Sequence, residues 1–268
     1  ANASAVPPTS YNVGPVATVA LHDLQDFTFL KQMRNNDDTA KLKLPGVGFW
    51  VYRSLTDPAT GNPGDSSSSF GSTPVYQVTT DLNGRISLKN LDTGVYAIME
   101  TSVPLGVQLM NYRYWEFKVD GAAGTISNPV AKSASTSSAY PPVPMTKETV
   151  NGQQEWTLVN NREIRALNVY KNWQDGNNRW SRVPITFELL RNGVKVDTKV
   201  LQPTSNATTF SNMLVYDLDG TKFNYEVREL PVPGYSNTDG PLNGTNTSAV
   251  SFTNSRLGTL QVTKVLQN

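Results

Sequence analysis

Leu158-Val159-Asn160-Asn161-Arg162 and, shortly after it, Leu167-Asn168-Val169-Tyr170-Lys171 form the stretch from which the whole chain can be organised. The second segment alternates apolar and polar residues, the two-residue period of a half-buried strand. The pair recurs as Phe252-Thr253-Asn254-Ser255-Arg256 followed by Leu260-Gln261-Val262-Thr263-Lys264. A further copy of the Lys-ending segment stands near the start, Phe27-Thr28-Phe29-Leu30-Lys31. A strand carrying Asn thus runs almost directly into a strand ending in Lys. Self-similarity of this kind marks tandem units, here two complete ones and the start of a third.

Between Lys and Asn, each complete unit holds another matching element. These are Tyr96-Ala97-Ile98-Met99-Glu100 and Tyr225-Glu226-Val227-Arg228-Glu229, each followed closely by Pro. Every unit therefore reads Lys, then Glu, then Asn. Strand-like alternation dominates elsewhere, and no window shows a sustained helical face. Turn pairs such as Asn83-Gly84, Thr93-Gly94, Asn192-Gly193, Asp219-Gly220 and Pro233-Gly234 punctuate it at the spacing of a β-sandwich. Two polar stretches, residues 56–74 and 121–151, read as surface loops or insertions.

The bulk numbers narrow the function classes. A length of 268 residues suits two β domains, and 38% hydrophobic with 17% charged residues suits a folded, loop-rich chain. A net charge of +1 with interspersed signs gives no basic stripe for nucleic acid or an anionic membrane. Absence of cysteine excludes disulfides, thiol catalysis and Cys-based metal sites, so covalent stabilisation has to use other side chains. No apolar run is long enough to span a membrane, and Ala1 to Ser10 lacks signal-peptide character, which reads as a cytosolic protein or a mature or excised fragment. The single histidine, His22, rules out multi-histidine metal sites. Asp217, Asp219, Gly220 and Glu226 echo a calcium loop, but Val215 stands where its first ligand belongs, and a plain turn is the better reading. Trp50, Trp115, Trp156, Trp173 and Trp180 mostly sit in apolar strand text, where core packing is expected rather than a sugar platform. The sequons at Asn206, Asn243 and Asn246 support exposed loops. No cofactor and no metal are expected.

The linked motifs resemble the collagen-adhesin B-type (CnaB) domains of Gram-positive pilins and cell-wall-anchored adhesins. The matching text is Thr80-Asp81-Leu82-Asn83-Gly84-Arg85-Ile86-Ser87-Leu88 with Leu91, Gly94, Tyr96 and Glu100 in the first unit. In the second it is Phe210, Leu214, Tyr225, Glu229 and Pro233-Gly234-Tyr235. The resemblance implies an all-β fold of two tandem immunoglobulin-like (reverse-Ig, CnaB-type) β-sandwich domains. Residues 27–164 are then the first domain with its loop insertions, and 165–257 the second. Residues 1–26 become an extension or the end of a preceding domain, and 258–268 a linker or the start of another, with the partners of Lys264 beyond Asn268. In that family a Lys and an Asn side chain join spontaneously in an isopeptide bond, assisted by a Glu. Carried over, this implies Lys31–Asn160 with Glu100 and Lys171–Asn254 with Glu229, Asn161 being an adjacent alternative acceptor in the first unit. The chemistry needs those residue types. A lysine attacks only when neutral, and burial disfavours its ammonium form; a carboxylic acid in a dry site is more easily kept protonated and can relay protons. Phe27, Phe29 and Lys31 share one strand face, as do Leu167, Val169 and Lys171, which puts both lysines on the inward side.

The resemblance implies a structural or adhesive subunit of a pilus or cell-wall-anchored surface protein, located extracellularly at the cell surface. It would be a rigid, protease-resistant stalk that cross-links itself once per site and is not an enzyme. Implied partners are other pilus subunits or the cell wall, joined through sortase, and host extracellular matrix or glycan. Val169-Tyr170-Lys171-Asn172 faintly resembles a pilin lysine motif, but Lys171 is already assigned, and Leu44-Pro45-Gly46-Val47-Gly48 lacks the Thr of a sorting signal. A tip or ancillary adhesin, or a fragment, is favoured over a complete backbone pilin. The rival readings are a ligand-binding adhesin module working through its long loops and an accessory β-sandwich of an extracellular carbohydrate-active enzyme.

Overall fold

A computed structural model describes residues 23–34, 40–237 and 239–258. His22, most of the N-terminal segment 1–26 and the third Lys-ending repeat with Lys264 lie outside the described residues. The rest forms two successive β-sandwiches, and among the described residues the one helical element is the short 3-10 turn Arg179–Ser181.

In the first sandwich the opening strand Gln25–Arg34 is the centre of one sheet. It pairs in parallel with the closing strand Gln153–Asn161, and Thr146–Val150 extends the sheet beyond that strand. Along its other edge it pairs antiparallel with Arg85–Leu91 and Leu42–Lys43. The facing sheet runs Tyr76–Thr79, Gly48–Arg53, Gly94–Ser102, Arg113–Asp120 and Thr125–Ile126, with Val130–Ser133 also paired to Arg113–Asp120. Alternation decides which side chains meet between the sheets. Phe27 stacks on Phe117 at 4.4 Å, Phe29 meets Phe49 edge-on at 5.3 Å, and Trp115 and Leu158 complete a fully buried layer.

The second sandwich repeats the plan. Ile164–Gln174 lies between Ala207–Leu214 and the closing strand Ala249–Arg256, again parallel to the latter, and Tyr235–Asn237 adds outside. Val194–Leu201, Ile185–Arg191, Tyr225–Glu229 and Leu242–Asn243 form the facing sheet. Leu167, Val169, Phe187, Phe210, Val227 and Phe252 fill the space between, with Phe187 and Phe252 at 5.3 Å.

The structure corrects the sequence reading in places. Residues 121–151 are not a plain loop, because Thr125–Ile126, Val130–Ser133 and Thr146–Val150 are strands within them. They are edge strands, held by backbone hydrogen bonds to a neighbour and largely solvated, so they carry little apolar pattern. Residues 56–74 contain no strand, yet Phe70 is buried against Tyr52, Val95 and Tyr114, which anchors the segment to the outer face of the second sheet. Trp115 is fully buried, but Trp50 and Trp180 face solvent. Trp50 points outward because it alternates with the inward Phe49 and Val51, and Trp180 sits in the 3-10 turn, off both sheets. The plain turn expected in place of a calcium loop is present: Asp217 O accepts the Gly220 amide at 3.2 Å, and Glu226 belongs to a strand.

The Asn83-Gly84 turn is packed against the opening strand. Gly84 has φ +75°, and a Cβ there would stand 2.6 Å from Lys31 O and 2.9 Å from Leu44 N. Gly152, in the same domain at φ +80°, has open space around it. Both Gly→Ala variants carry the left-handed backbone cost of ~1–2 kcal/mol. Gly84→Ala is expected to lose a further ~1–3 kcal/mol from the clash. Equal thermal unfolding midpoints for the two variants would contradict this packing.

Candidate functional site

Strand register brings each lysine to its asparagine. In the first domain Lys31 pairs with Leu158 and Met33 with Asn160; in the second Lys171 pairs with Phe252 and Trp173 with Asn254. Each Asn therefore lies two residues beyond the position opposite the Lys. Because side chains alternate with a period of two, the Lys and the Asn share the inward face of adjacent parallel strands. The Glu arrives from the facing sheet, Glu100 on Gly94–Ser102 and Glu229 on Tyr225–Glu229.

At the first site Lys31 Nζ lies against Asn160 Oδ1 and 3.0 Å from Glu100 Oε2. Asn160 Nδ2 donates to Glu100 Oε1 at 2.8 Å and to Gln108 O at 3.0 Å. The Met110 amide donates to Glu100 Oε1 at 2.9 Å. The side chains of Lys31 and Glu100 are both 0% exposed, and the Phe49 ring lies 5.9 Å from Nζ. Asn161, the alternative acceptor, falls on the opposite strand face and is half-buried; its carbonyl accepts the Gln108 amide at 2.9 Å. The parity of the strand selects Asn160.

At the second site Lys171 Nζ donates to Glu229 Oε2 at 2.9 Å, and Asn254 Nδ2 donates to Glu229 Oε1 at 2.5 Å. Both Lys171 and Glu229 side chains are 0% exposed. The Trp173 ring lies 5.3 Å from Nζ. Asn254 Oδ1 is buried without a hydrogen-bond partner, a costly arrangement that leaves its carbonyl free to accept a proton donor.

The electrostatics of the two sites agree. Burial pushes Lys31 down to about 8, opposed by the negative charge of Glu100 and a hydrogen bond to it. Burial lowers Lys171 as well, against the hydrogen bond to Glu229 and the charges of Glu229 and Asp239. An amine and a carboxamide thus converge on one fully buried carboxyl group, an arrangement suited to acyl transfer with a proton shuttle. Among the described residues no cluster of three or more His, Cys, Asp or Glu could hold a metal.

All six residues singled out in the sequence are brought together as two triads. The backbone partners at the first site, Gln108 O and Met110 N, were not foreseen. Every residue carries the same amide and carbonyl, so nothing in the text distinguishes these two.

Comparison with known proteins assigns the two halves separately. Residues 167–255 match the model of the Cna protein B-type domain, and residues 31–132 match that of the SpaA prealbumin-like fold domain. No curated protein matches the chain. Among solved structures, the Bacillus anthracis TIE protein is 14% identical with a TM-score of 0.46, covering 88% of this chain and 34% of its own. This chain therefore spans about a third of that protein's length. The C-terminal fragment of pilus adhesin SpaC from Lactobacillus rhamnosus GG is 15% identical with a TM-score of 0.45, covering 89% of this chain and 100% of its own. A single B repeat unit of the collagen-binding surface protein Cna of Staphylococcus aureus is 16% identical with a TM-score of 0.31, covering 88% and 100%. The two halves are thus similar to two different domain families, residues 31–132 to the SpaA prealbumin-like fold domain and residues 167–255 to the Cna protein B-type domain.

Proposed function

We propose that the chain is a load-bearing segment of a pilus or cell-wall-anchored surface protein, each of whose domains is locked by its own Lys–Asn isopeptide bond. The observation that carries this reading is the pair of dry Lys–Glu–Asn triads, each joining the first strand of a domain to its last. The matches to the Cna B-type and SpaA prealbumin-like models support the surface-protein assignment. Other subunits or the cell wall, joined through sortase, would be its covalent neighbours, and host matrix or glycan its adhesion target.

The step balances as follows. A proton passes from the Lys31 ammonium, whose charge burial disfavours, to Glu100. The Nζ lone pair attacks Cγ of Asn160, whose carbonyl oxygen, after rotation of the amide, accepts from the protonated Glu100. Nζ then loses a proton by way of Glu100 to Nδ2, the Cγ–Nδ2 bond breaks, and ammonia leaves. Lys171, Glu229 and Asn254 take the same roles. Each site reacts once with itself and turns over no external substrate, so the protein is not an enzyme.

The bond would act on the strand pair that carries force. Traction on the two ends of a domain pulls its parallel first and last strands in opposite directions, and the isopeptide bond joins them directly. The Lys31–Asn160 link closes a separation of 129 residues. On the loop-entropy model used for disulfides such a closure stabilises by ~4–5 kcal/mol.

Intact mass measurement tests the reading. The protein is expected to weigh two ammonia masses less than its sequence, with Lys31→Ala and Lys171→Ala each removing one deficit. A mass equal to the sequence would sink the cross-link.

A second expectation concerns pH. With Asn160→Ala no first bond forms, and the causes of the Lys31 shift, burial and Glu100, remain. Between about 8 and the ordinary lysine value the unfolded chain holds a proton that the folded domain has released. Stability of the unlinked first domain therefore rises with pH through that window, and below it this contribution is flat. Urea unfolding on either side of the window should show the gain in Asn160→Ala and not in Asn160→Ala/Lys31→Met. Identical pH slopes would refute a depressed Lys31.

A further inference from the structure

The loop after Glu100 touches both the first triad and the second domain. At one end the Gln108 carbonyl accepts Asn160 Nδ2 at 3.0 Å and the Met110 amide holds Glu100 Oε1 at 2.9 Å. At the other, Gly106 at φ +81° comes so close to the second domain that a Cβ on it would lie 2.9 Å from Tyr216 Cβ. Gly106 O accepts the Glu163 amide at 2.8 Å, and Glu163 O in turn accepts the Val215 amide at 3.1 Å. Arg162, only 9% exposed, forms a β-bridge to Val107 and donates through Nη2 to Tyr216 O. A short run of backbone is thus gripped at one end by the second domain and at the other by the reacting groups of the first.

The second triad has a comparable clamp. The Leu257 amide donates to Gly234 O at 2.9 Å. Leu257 follows Asn254 at the interval by which Glu163 follows Asn160, and Gly234 lies in the loop after Glu229 as Gly106 lies in the loop after Glu100. The contact between this loop and the closing strand recurs. What the first site adds is the seating of the clamp on the following domain.

We propose that docking of the second domain positions the first cross-linking site, so that Lys31–Asn160 closes efficiently only once the second domain has folded against the Gly106 loop. Arg162 is the positioning residue, holding the loop at Val107 and the second domain at Tyr216 O, and so acting on Asn160 and Glu100 through Gln108 and Met110. The inference rests on the cross-link reading above. Its physical basis is orientation: the amine and the carboxamide react only when held in near-attack geometry, and a misplacement of about 1 Å can cost on the order of a hundredfold in rate. The competing possibility is that Val107 and Met110, buried in the first core at 8% and 7% exposure, hold the loop without help.

The test uses the full chain carrying Arg162→Met, which removes the hydrogen bond to Tyr216 O, sampled at intervals after synthesis. Peptide mapping by mass scores the Lys31–Asn160 and Lys171–Asn254 linkages separately, and hydrogen exchange reports folding of the first core. The expected result is first-bond formation slowed by about tenfold or more, with the second bond unaffected and the Trp115–Val119 strand still protected. First-bond formation at the unmodified pace overturns the proposal. So does loss of protection in the first core, which would make the second domain a folding requirement and not a positioning one. A second variant, Phe252→Asp, is chosen to unfold the second domain outright. The proposal then requires a slow first bond in a protected first core, and a first bond at normal pace overturns it. If neither bond forms in the unmodified chain, the cross-link reading fails, an outcome distinct from all of these.

Discussion

Parallel pairing of the first and last strands of each domain is the constraint on which the rest depends. It sets Lys31 beside Asn160 and Lys171 beside Asn254 with the same two-residue stagger. It also places both pairs under a facing sheet, where water is excluded. Without that pairing the lysines would be solvated strand-end residues.

Burying a lysine is costly, and each site offsets the cost in the same way. The ammonium faces one carboxyl group, which also receives the asparagine amide, and at the first site a backbone amide as well. Aromatic rings complete the enclosures, Phe49 at one site and Trp173 at the other. A buried ion pair contributes little net stability, since desolvation consumes most of its Coulombic attraction. Desolvation lowers the pKa of both lysines and so makes the neutral amine more accessible.

The join between the domains follows from the same economy of connection. The closing strand Gln153–Asn161 gives way almost at once to Ile164–Gln174, leaving no flexible linker. Arg162 and Glu163 occupy the turn and bond to both sides, Arg162 to Arg34 and Tyr216, Glu163 to Gly106 and Val215. These contacts link the loop beside the first triad to the second domain.

The sequence by itself determined the all-β class, the tandem arrangement and the residue types of both triads. These properties reside in local alternation and in a repeated order of Lys, Glu and Asn. Apolar and polar side chains differ in their cost of burial, so strand text such as Leu167-Asn168-Val169-Tyr170-Lys171 declares its inward face wherever it stands. The tertiary structure decided the rest. It chose Asn160 over Asn161 through the register of two strands far apart in the chain, which local text does not encode. It made strands of parts of residues 121–151, and it recruited Gln108 and Met110 to the first site. In those cases the interacting groups are backbone amides and carbonyls, identical at every residue. Only the path of the folded chain settles which of them meet.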